Sequence, residues 1–336
     1  MEQIPSRIMM MWNIRGIGNN DSRIALREMY RLNSPSLVFL AEPMVLYDSV
    51  PSWFWNNLHV TNYCLNKREP LIPNVWAVWG ADVALTVIFA SSQCLVLEHV
   101  CNGSTVYIGG IHASTSYILR RQQWADLTRL QNSLVALWLF VGDFNAVLGA
   151  HEKRGRRLPP FISCTDFLTW TNANLLLHMN TNGVQYTWNN GRLDSDSVFL
   201  RLDRAICNEA WTDFRRGTSC TTLMRTQSDH RPLFICMTLS LTPRTSSFKF
   251  FKTWSQHEDC RPLVLITWKK DVIGSGMHRL QTKLRHLKDA FMVWNKSVFG
   301  DVQRQVQLAA DEVYRIQTLI DSLGLDTDTH TLELHA

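Results

Sequence analysis

Along the first two-thirds of the chain, apolar residues gather in short runs broken by Gly, Pro, Asn and Asp, the spacing of buried strands. Arg7–Asn13 reads as a strand rich in Met and Ile, stopped by Gly16 and Gly18. Further strands are expected at Ser36–Leu40, Val75–Trp79, Ala84–Ala90, Cys94–Val100 and Thr105–Ile111, the last two joined by an Asn102-Gly103 hairpin turn. The run Leu134–Val141 follows, then Gln185–Trp188, Val198–Ile206, Cys220–Met224 and Leu233–Leu239. Helices fall between them. Asp21-Ser22 caps one through about Leu32, with Ile24, Met29 and Leu32 on its inner side. Tyr117–Leu130 carries Ile118, Trp124, Leu127 and Leu130 at helical spacing, and a third helix is expected near Asp166–Asn174. Many strands and few helices predict an α+β core of two packed sheets flanked by helices rather than a doubly wound parallel sheet.

The pattern changes after Thr242-Pro243-Arg244-Thr245-Ser246-Ser247, which reads as a linker. Leu280, Leu284, Leu287, Phe291, Trp294 and Val298 alternate spacings of four and three, and a similar series resumes at Val302 after Gly300. We therefore expect a core domain over 7–242 and a linker with a helical tail over 243–336. Its helices form a hairpin or pack on a partner.

Composition narrows the class. The 336 residues are 46% hydrophobic and 19% charged, a globular balance, and the net charge of +5 permits an acidic partner without demanding one. Of the 13 tryptophans, Trp53, Trp55, Trp76 and Trp79 are expected in the core. The 8 cysteines are scattered without a Cys-x-x-Cys pair, and no signal peptide is visible. Reduced thiols and a nuclear or cytoplasmic setting, not secretion, follow. No run approaches the ~20 apolar residues that cross a bilayer, so no membrane insertion is expected.

Chemistry enters where the strands end. The run to Val141 delivers Asp143 and Asn145, which strand alternation would turn the same way. Asn13, Glu42, Asp203 and the pair Asp229-His230 stand at other strand ends. Each has a bland reading: a turn Asn, a surface acid, an ion pair of Asp203 with Arg201 or Arg204, a structural histidine. Converging on one site, they have the makings of phosphodiester hydrolysis, which needs a cation, an activated water and donors for oxyanion charge. Lys153, Arg154, Arg156 and Arg157 follow closely enough to reach a phosphate backbone, with a solvated basic loop as the alternative.

These residues sit in longer strings: Trp12-Asn13-Ile14-Arg15-Gly16, Phe39-Leu40-Ala41-Glu42-Pro43, His112-Ala113-Ser114, Gly142-Asp143-Phe144-Asn145, Tyr186-Thr187-Trp188, Arg201-Leu202-Asp203-Arg204 and Ser228-Asp229-His230-Arg231-Pro232. In this order, over roughly residues 7–240, the chain resembles the endonuclease/exonuclease/phosphatase superfamily. Within it, the chain resembles the apurinic-endonuclease-like domain of plant LINE-type non-LTR retrotransposons. The tail is similar to the segment that precedes the reverse transcriptase in such elements. No Tyr-x-Asp-Asp string of a polymerase follows, so the chain looks like a truncated product.

The resemblance implies a four-layer α/β/β/α sandwich of two mixed sheets, with a C-terminal helical extension. It implies a magnesium-dependent endonuclease (manganese as the substitute) that nicks DNA. Glu42 would be the principal metal ligand with Asn13 and Asp229 nearby. Asp143 would orient or deprotonate the attacking water, Asn145 would hold the phosphate, and His230, kept charged by Asp203, would donate to a phosphate oxygen. His112 departs from the pattern, since many members have Tyr there. A non-catalytic relic that binds nucleic acid, and a phosphoesterase for small phosphate esters, are the competing readings.

Overall fold

Strands that are covered on both faces need apolar side chains at consecutive positions, and the chain supplies them in Leu37–Ala41, Val75–Trp79 and Leu137–Asp143. The computed structural model describes residues 7–101, 103–192, 196–214, 217–237, 250 and 252–298. It divides into two compact units, Met1–Ser246 and Ser247–Ala336. In the first unit the elements run β1 (Arg7–Asn13), α1 (Asn20–Asn33), β2 (Leu37–Ala41), α2 (Ser52–Asn57), β3 (Asn62–Leu65), β4 (Val75–Trp79), β5 (Thr86–Ala90), β6 (Cys94–Cys101) and β7 (Ser104–His112). They continue with α3 (Tyr117–Ser133), β8 (Leu137–Asp143), β9 (Lys153–Arg154), α4 (Phe161–Ala173), β10 (Leu176–His178), β11 (Thr181–Asn182), β12 (Trp188–Asn189) and β13 (Phe199–Leu200). The unit closes with β14 (Asp203–Asn208), α5 (Glu209–Phe214), β15 (Ser219–Thr222) and β16 (Leu233–Met237).

A seven-stranded sheet, β11-β15-β16-β1-β2-β4-β3, faces a six-stranded one, β10-β14-β8-β7-β6-β5. Each is mixed: β1 and β2 run parallel, as do β7 and β8, and their other neighbours are antiparallel. Met10, Trp12, Val38, Leu40, Trp76 and Val78 form one layer of core with Leu26 and Met29 of α1 and with Phe54 and Trp55 of α2. On the outer side of the second sheet, Trp138 and Phe140 pack with Trp124 and Leu127 of α3 and with Phe167 and Trp170 of α4. The result is the expected helix/sheet/sheet/helix sandwich. The sheets come together where Gly110 meets the ring of Phe39, and a Cβ on Gly110 would overlap that ring. Gly110→Val is therefore expected to lower unfolding free energy by about 1–3 kcal/mol, read from urea denaturation, because the ring has nowhere to move between two packed sheets.

Several local expectations change. The side chain of Asn19, not Asp21 or Ser22, caps α1 by accepting from the Ser22 N–H, and the buried stripe is Ser22, Leu26 and Met29. Ile24 (40% exposed) and Leu32 (68%) face outward, as does Ile118 on α3. Trp53 is exposed while Trp55, Trp76 and Trp79 are buried. The single run expected over Val198–Ile206 is two strands, β13 and β14, that join different sheets. The described cysteines carry thiols rather than disulfides. No helix among the described residues is long and apolar enough to cross a membrane.

In the second unit, α6 (Cys260–Trp268) and α7 (Gly276–Val298) pack around Trp254, Phe291 and Trp294. The heptad-like positions divide: Phe291 and Trp294 are buried, but Leu280 and Leu284 are exposed. The linker at 242–247 and the repeat from Val302 onward lie outside the described residues.

Candidate active site

Strand direction alone gathers the polar residues. Because β1 and β2 are parallel with Asn13 opposite Ala41, Glu42 emerges at the same end as Asn13. β16 runs antiparallel to β1, so the segment entering it, with Ser228, Asp229 and His230, arrives at that end too. In the second sheet the parallel pair β7/β8 sets His112 opposite Asp143, and antiparallel β14 sets Asp203 on the other side of Asp143. His112, Asp143 and Asp203 thus form a row across three adjacent strands. Gly142 permits the row: its φ is +151°, and a Cβ there would collide with the Ile111 backbone of β7.

Asp143 and Asn145 do not share a face by strand alternation, since β8 ends at Asp143. Asn145 takes a left-handed φ of 46°, and its N–H donates to Asp143 Oδ1 at 2.9 Å. Its side-chain amide donates to Ala113 O at 2.8 Å, which ties the turn to the end of β7.

Across the sheets, Asn13 Nδ2 donates to Glu42 Oε1 (2.9 Å) and Asp143 Oδ2 (3.1 Å). His230 Nδ1 lies 2.9 Å from Asp203 Oδ2, and its Nε2 is 3.7 Å from Asp143 Oδ2. Burial disfavours a charged His230, but the flanking Asp203 and Asp143 outweigh it and raise its pKa from 6.5 to about 9. The imidazolium is the resting form at neutral pH. Burial pushes the Asp143 carboxyl up, against the opposing pull of His230. Burial also opposes ionisation of Glu42, yet hydrogen bonds from His112 and Asn13 and the Arg15 charge bring it down to about 2.

A pH dependence follows from His230. A folded-state pKa above the unfolded value stabilises the protein fully below the unfolded pKa and is lost on rising through the folded one. The stability advantage of wild type over Asp203→Asn is thus expected to be largest below pH 6.5 and to decline through about pH 9. Urea titrations across that range measure it.

Ligand atoms of Glu42, His112 and Asp143 lie within 4.8 Å of one another, as do those of Asp143, Asp203 and His230. The second group is committed to its His–Asp hydrogen bond. The first borders Asn13, a fully buried residue whose Oδ1 has no hydrogen-bond partner. An unsatisfied oxygen beside two carboxylates fits a hard divalent cation that keeps several waters. Asp229 stands apart: Trp188 Nε1 donates to its Oδ2 (2.8 Å) and Arg15 pairs with its Oδ1 (3.2 Å).

These groups open onto a groove of about 1340 Å³ lined by Glu42, Lys67, Arg68, His112, Asn145 and Trp188 among others. Lys153, Arg154, Arg156 and Arg157 are not among its lining residues. They belong to or follow β9, which with β13 and β12 makes a small sheet whose Trp188 bridges to His230. Arg154 lies over the Phe199 ring and Arg156 pairs with Asp196. Lys67 and Arg68 are groove residues that sequence reasoning missed. It named Ser228 and Thr187 within longer strings but missed their roles: Ser228 Oγ donates to Asn13 O (2.6 Å) and accepts from His230 N, and Thr187 Oγ1 accepts from Asp203 N at 2.9 Å. No residue-type signal marks these hydroxyls, because each acts on backbone that only the fold brings near.

No protein-family model matches the chain, and no curated protein does. Among solved structures it is similar to the endonuclease domain of TRAS1, a telomere-specific non-LTR retrotransposon, at 13% identity and a TM-score of 0.54, covering 70% of this chain and 99% of that one. It is similar to an AP endonuclease from Archaeoglobus fulgidus (11%, TM-score 0.52, 69% and 99%). A 3'-5' exonuclease from Neisseria meningitidis is comparable (14%, TM-score 0.52, 68% and 98%). At these identities the likeness establishes the fold alone, two packed mixed sheets flanked by helices.

Proposed function

We propose that the chain is a divalent-metal-dependent phosphodiester hydrolase that nicks DNA, derived from a plant LINE-type retrotransposon. One observation carries the reading: a buried imidazole, His230, paired with Asp203 and facing Asp143 across from Glu42. A structural ion pair gains nothing from a third carboxylate and a groove, whereas hydrolysis of a phosphodiester uses all of them. Magnesium, or manganese in its place, held by Glu42 with Asn13 and Asp143 nearby, would supply charge neutralisation at the phosphate.

The remaining chemistry belongs to side chains. Asp143, its proton affinity raised by burial, orients the attacking water and accepts its proton. His230 donates from Nε2 to a non-bridging phosphate oxygen as negative charge grows there, and Asp203 keeps it protonated and aimed. Asn145, anchored at the rim by its bond to Ala113 O, adjoins the phosphate. Lys67 and Arg68 in the groove, and Lys153, Arg154, Arg156 and Arg157 beyond it, supply contacts to the DNA backbone.

The test is conversion of supercoiled plasmid to open circle with magnesium, with manganese, and with EDTA. Metal-dependent nicking by wild type that Glu42→Gln loses supports the reading. Indifference to metal, or equal nicking by Glu42→Gln, overturns it.

A further inference from the structure

The cluster Glu42–His112–Asp143 has the size of a metal site in which an imidazole nitrogen takes part, and such a nitrogen favours zinc or cobalt over magnesium. Whether His112 can ligate depends on which ring nitrogen carries its proton. Backbone groups decide that, since an N–H can only donate. The N–H groups of Asn74 and Val75 donate to one side-chain atom of Asn66, at 3.0 and 2.9 Å, so that atom is the amide oxygen. The other atom is therefore the Asn66 NH2, which donates to Ser91 O (2.9 Å) and to the Asn74 side chain (2.8 Å). The Asn74 atom that receives it must be an oxygen, which leaves the Asn74 NH2 pointing at His112 Nδ1, 2.7 Å away. Nδ1 is then an acceptor, and the ring's proton sits on Nε2, 3.1 Å from Glu42 Oε1.

We propose that Asn66 and Asn74 are positioning residues that hold His112 as its Nε2–H tautomer, making it a hydrogen-bond donor into the groove and not a metal ligand. The lone pair of the ring is spent on Asn74, and the Nε2–H is spent on Glu42. A nitrogen at this position then steadies Glu42 Oε1 at the wall of the groove. The metal is left to oxygen donors. Asn66 and Asn74 are themselves buried. The tautomer stands on hydrogen-bond geometry alone, while its consequence for metal choice rests on Glu42 being the metal carboxylate.

The experiment is proton–nitrogen correlation NMR on protein labelled with ¹⁵N-histidine, with His112 assigned by the signal missing from His112→Asn. The expected pattern is a protonated Nε2 and a bare Nδ1. A proton on Nδ1 overturns the proposal without touching the assignment of function. Asn74→Asp then inverts the relay, because a carboxylate accepts from Nδ1–H and frees Nε2 to ligate. That variant is expected to bind zinc about 10–100-fold more tightly than wild type by calorimetry, a gain that Asn74→Asp/His112→Asn loses. Equal zinc affinity in wild type and Asn74→Asp, or zinc binding in wild type that His112→Asn abolishes, refutes it. Should Asn74→Asp fail to fold, Asn66→Ala serves in its place. Without the Asn66 amide, Asn74 can turn over, and a mixture of both His112 tautomers is expected; an unchanged single tautomer counts against the relay.

Discussion

His230→Ala is expected to slow plasmid nicking by about 10²–10³-fold, the usual effect of deleting one preorganised donor to a developing oxyanion. The loss should appear in turnover rather than in DNA affinity, because His230 is buried at the floor of the groove while other groove residues, Lys67 and Arg68, supply the backbone contacts. Stability complicates a simple deletion. Removing the imidazolium strands Asp203, whose side chain is only 2% exposed, as an unpaired buried charge, a change that costs about 3–5 kcal/mol. The double variant Asp203→Asn/His230→Ala removes the stranded charge as well. It is expected to recover much of the stability and none of the nicking. A double variant that regained activity, or a single variant as active as wild type, would take His230 out of the chemistry.

Arg204→Met is expected to cost folding as much as His230→Ala does. The Arg204 guanidinium is fully buried and donates to Glu152 Oε1 (3.1 Å) and Oε2 (2.7 Å), to Arg201 O (2.6 Å) and to Ala146 O (3.3 Å). It also lies over the Phe167 ring. Glu152 Oε2 in turn accepts from Leu148 N at 2.7 Å, so the pair clips the segment after Asp143 onto β14. Truncating Arg204 leaves the buried Glu152 carboxylate with only the Leu148 N–H and the more distant Arg201 (3.8 Å), for an expected loss of about 3–5 kcal/mol in urea denaturation. Arg204→Met/Glu152→Leu is expected to recover part of this, short of wild type because the Leu148 N–H and two carbonyls lose their partners. A loss under ~1 kcal/mol for the single variant would show that water reaches the pair.

Arg204 also illustrates what the sequence can and cannot yield. Reading along the chain, Arg201 and Arg204 compete for Asp203; in three dimensions Glu152 takes Arg204 and His230 takes Asp203. Strands were legible because both faces of each sheet are covered, which forces unbroken apolar runs. The inner face of α1 was not. Ile24 and Leu32 suit a helical stripe as well as Leu26 and Met29 do, and only the sheet beneath chooses between them. Residue types likewise revealed the acids and the histidines, which are costly to place at strand ends without a use. The roles of Ser228, Thr187, Asn66 and Asn74 stayed hidden because each speaks to a backbone or side chain that folding alone brings close.

The position of β1 has a consequence for synthesis. Made first among the strands described, it pairs on one side with β2, which follows soon after, and on the other with β16, which comes almost at the end of the unit. Until β16 emerges from the ribosome, one edge of β1 stands bare, and the segment that brings His230 does not yet exist. A nascent chain can thus build most of its sandwich while the candidate site still lacks His230. The same wait leaves an open strand edge for other chains to join. Chaperone binding to stalled nascent chains is expected to ease once residues 233–237 are added, the outward sign of that order.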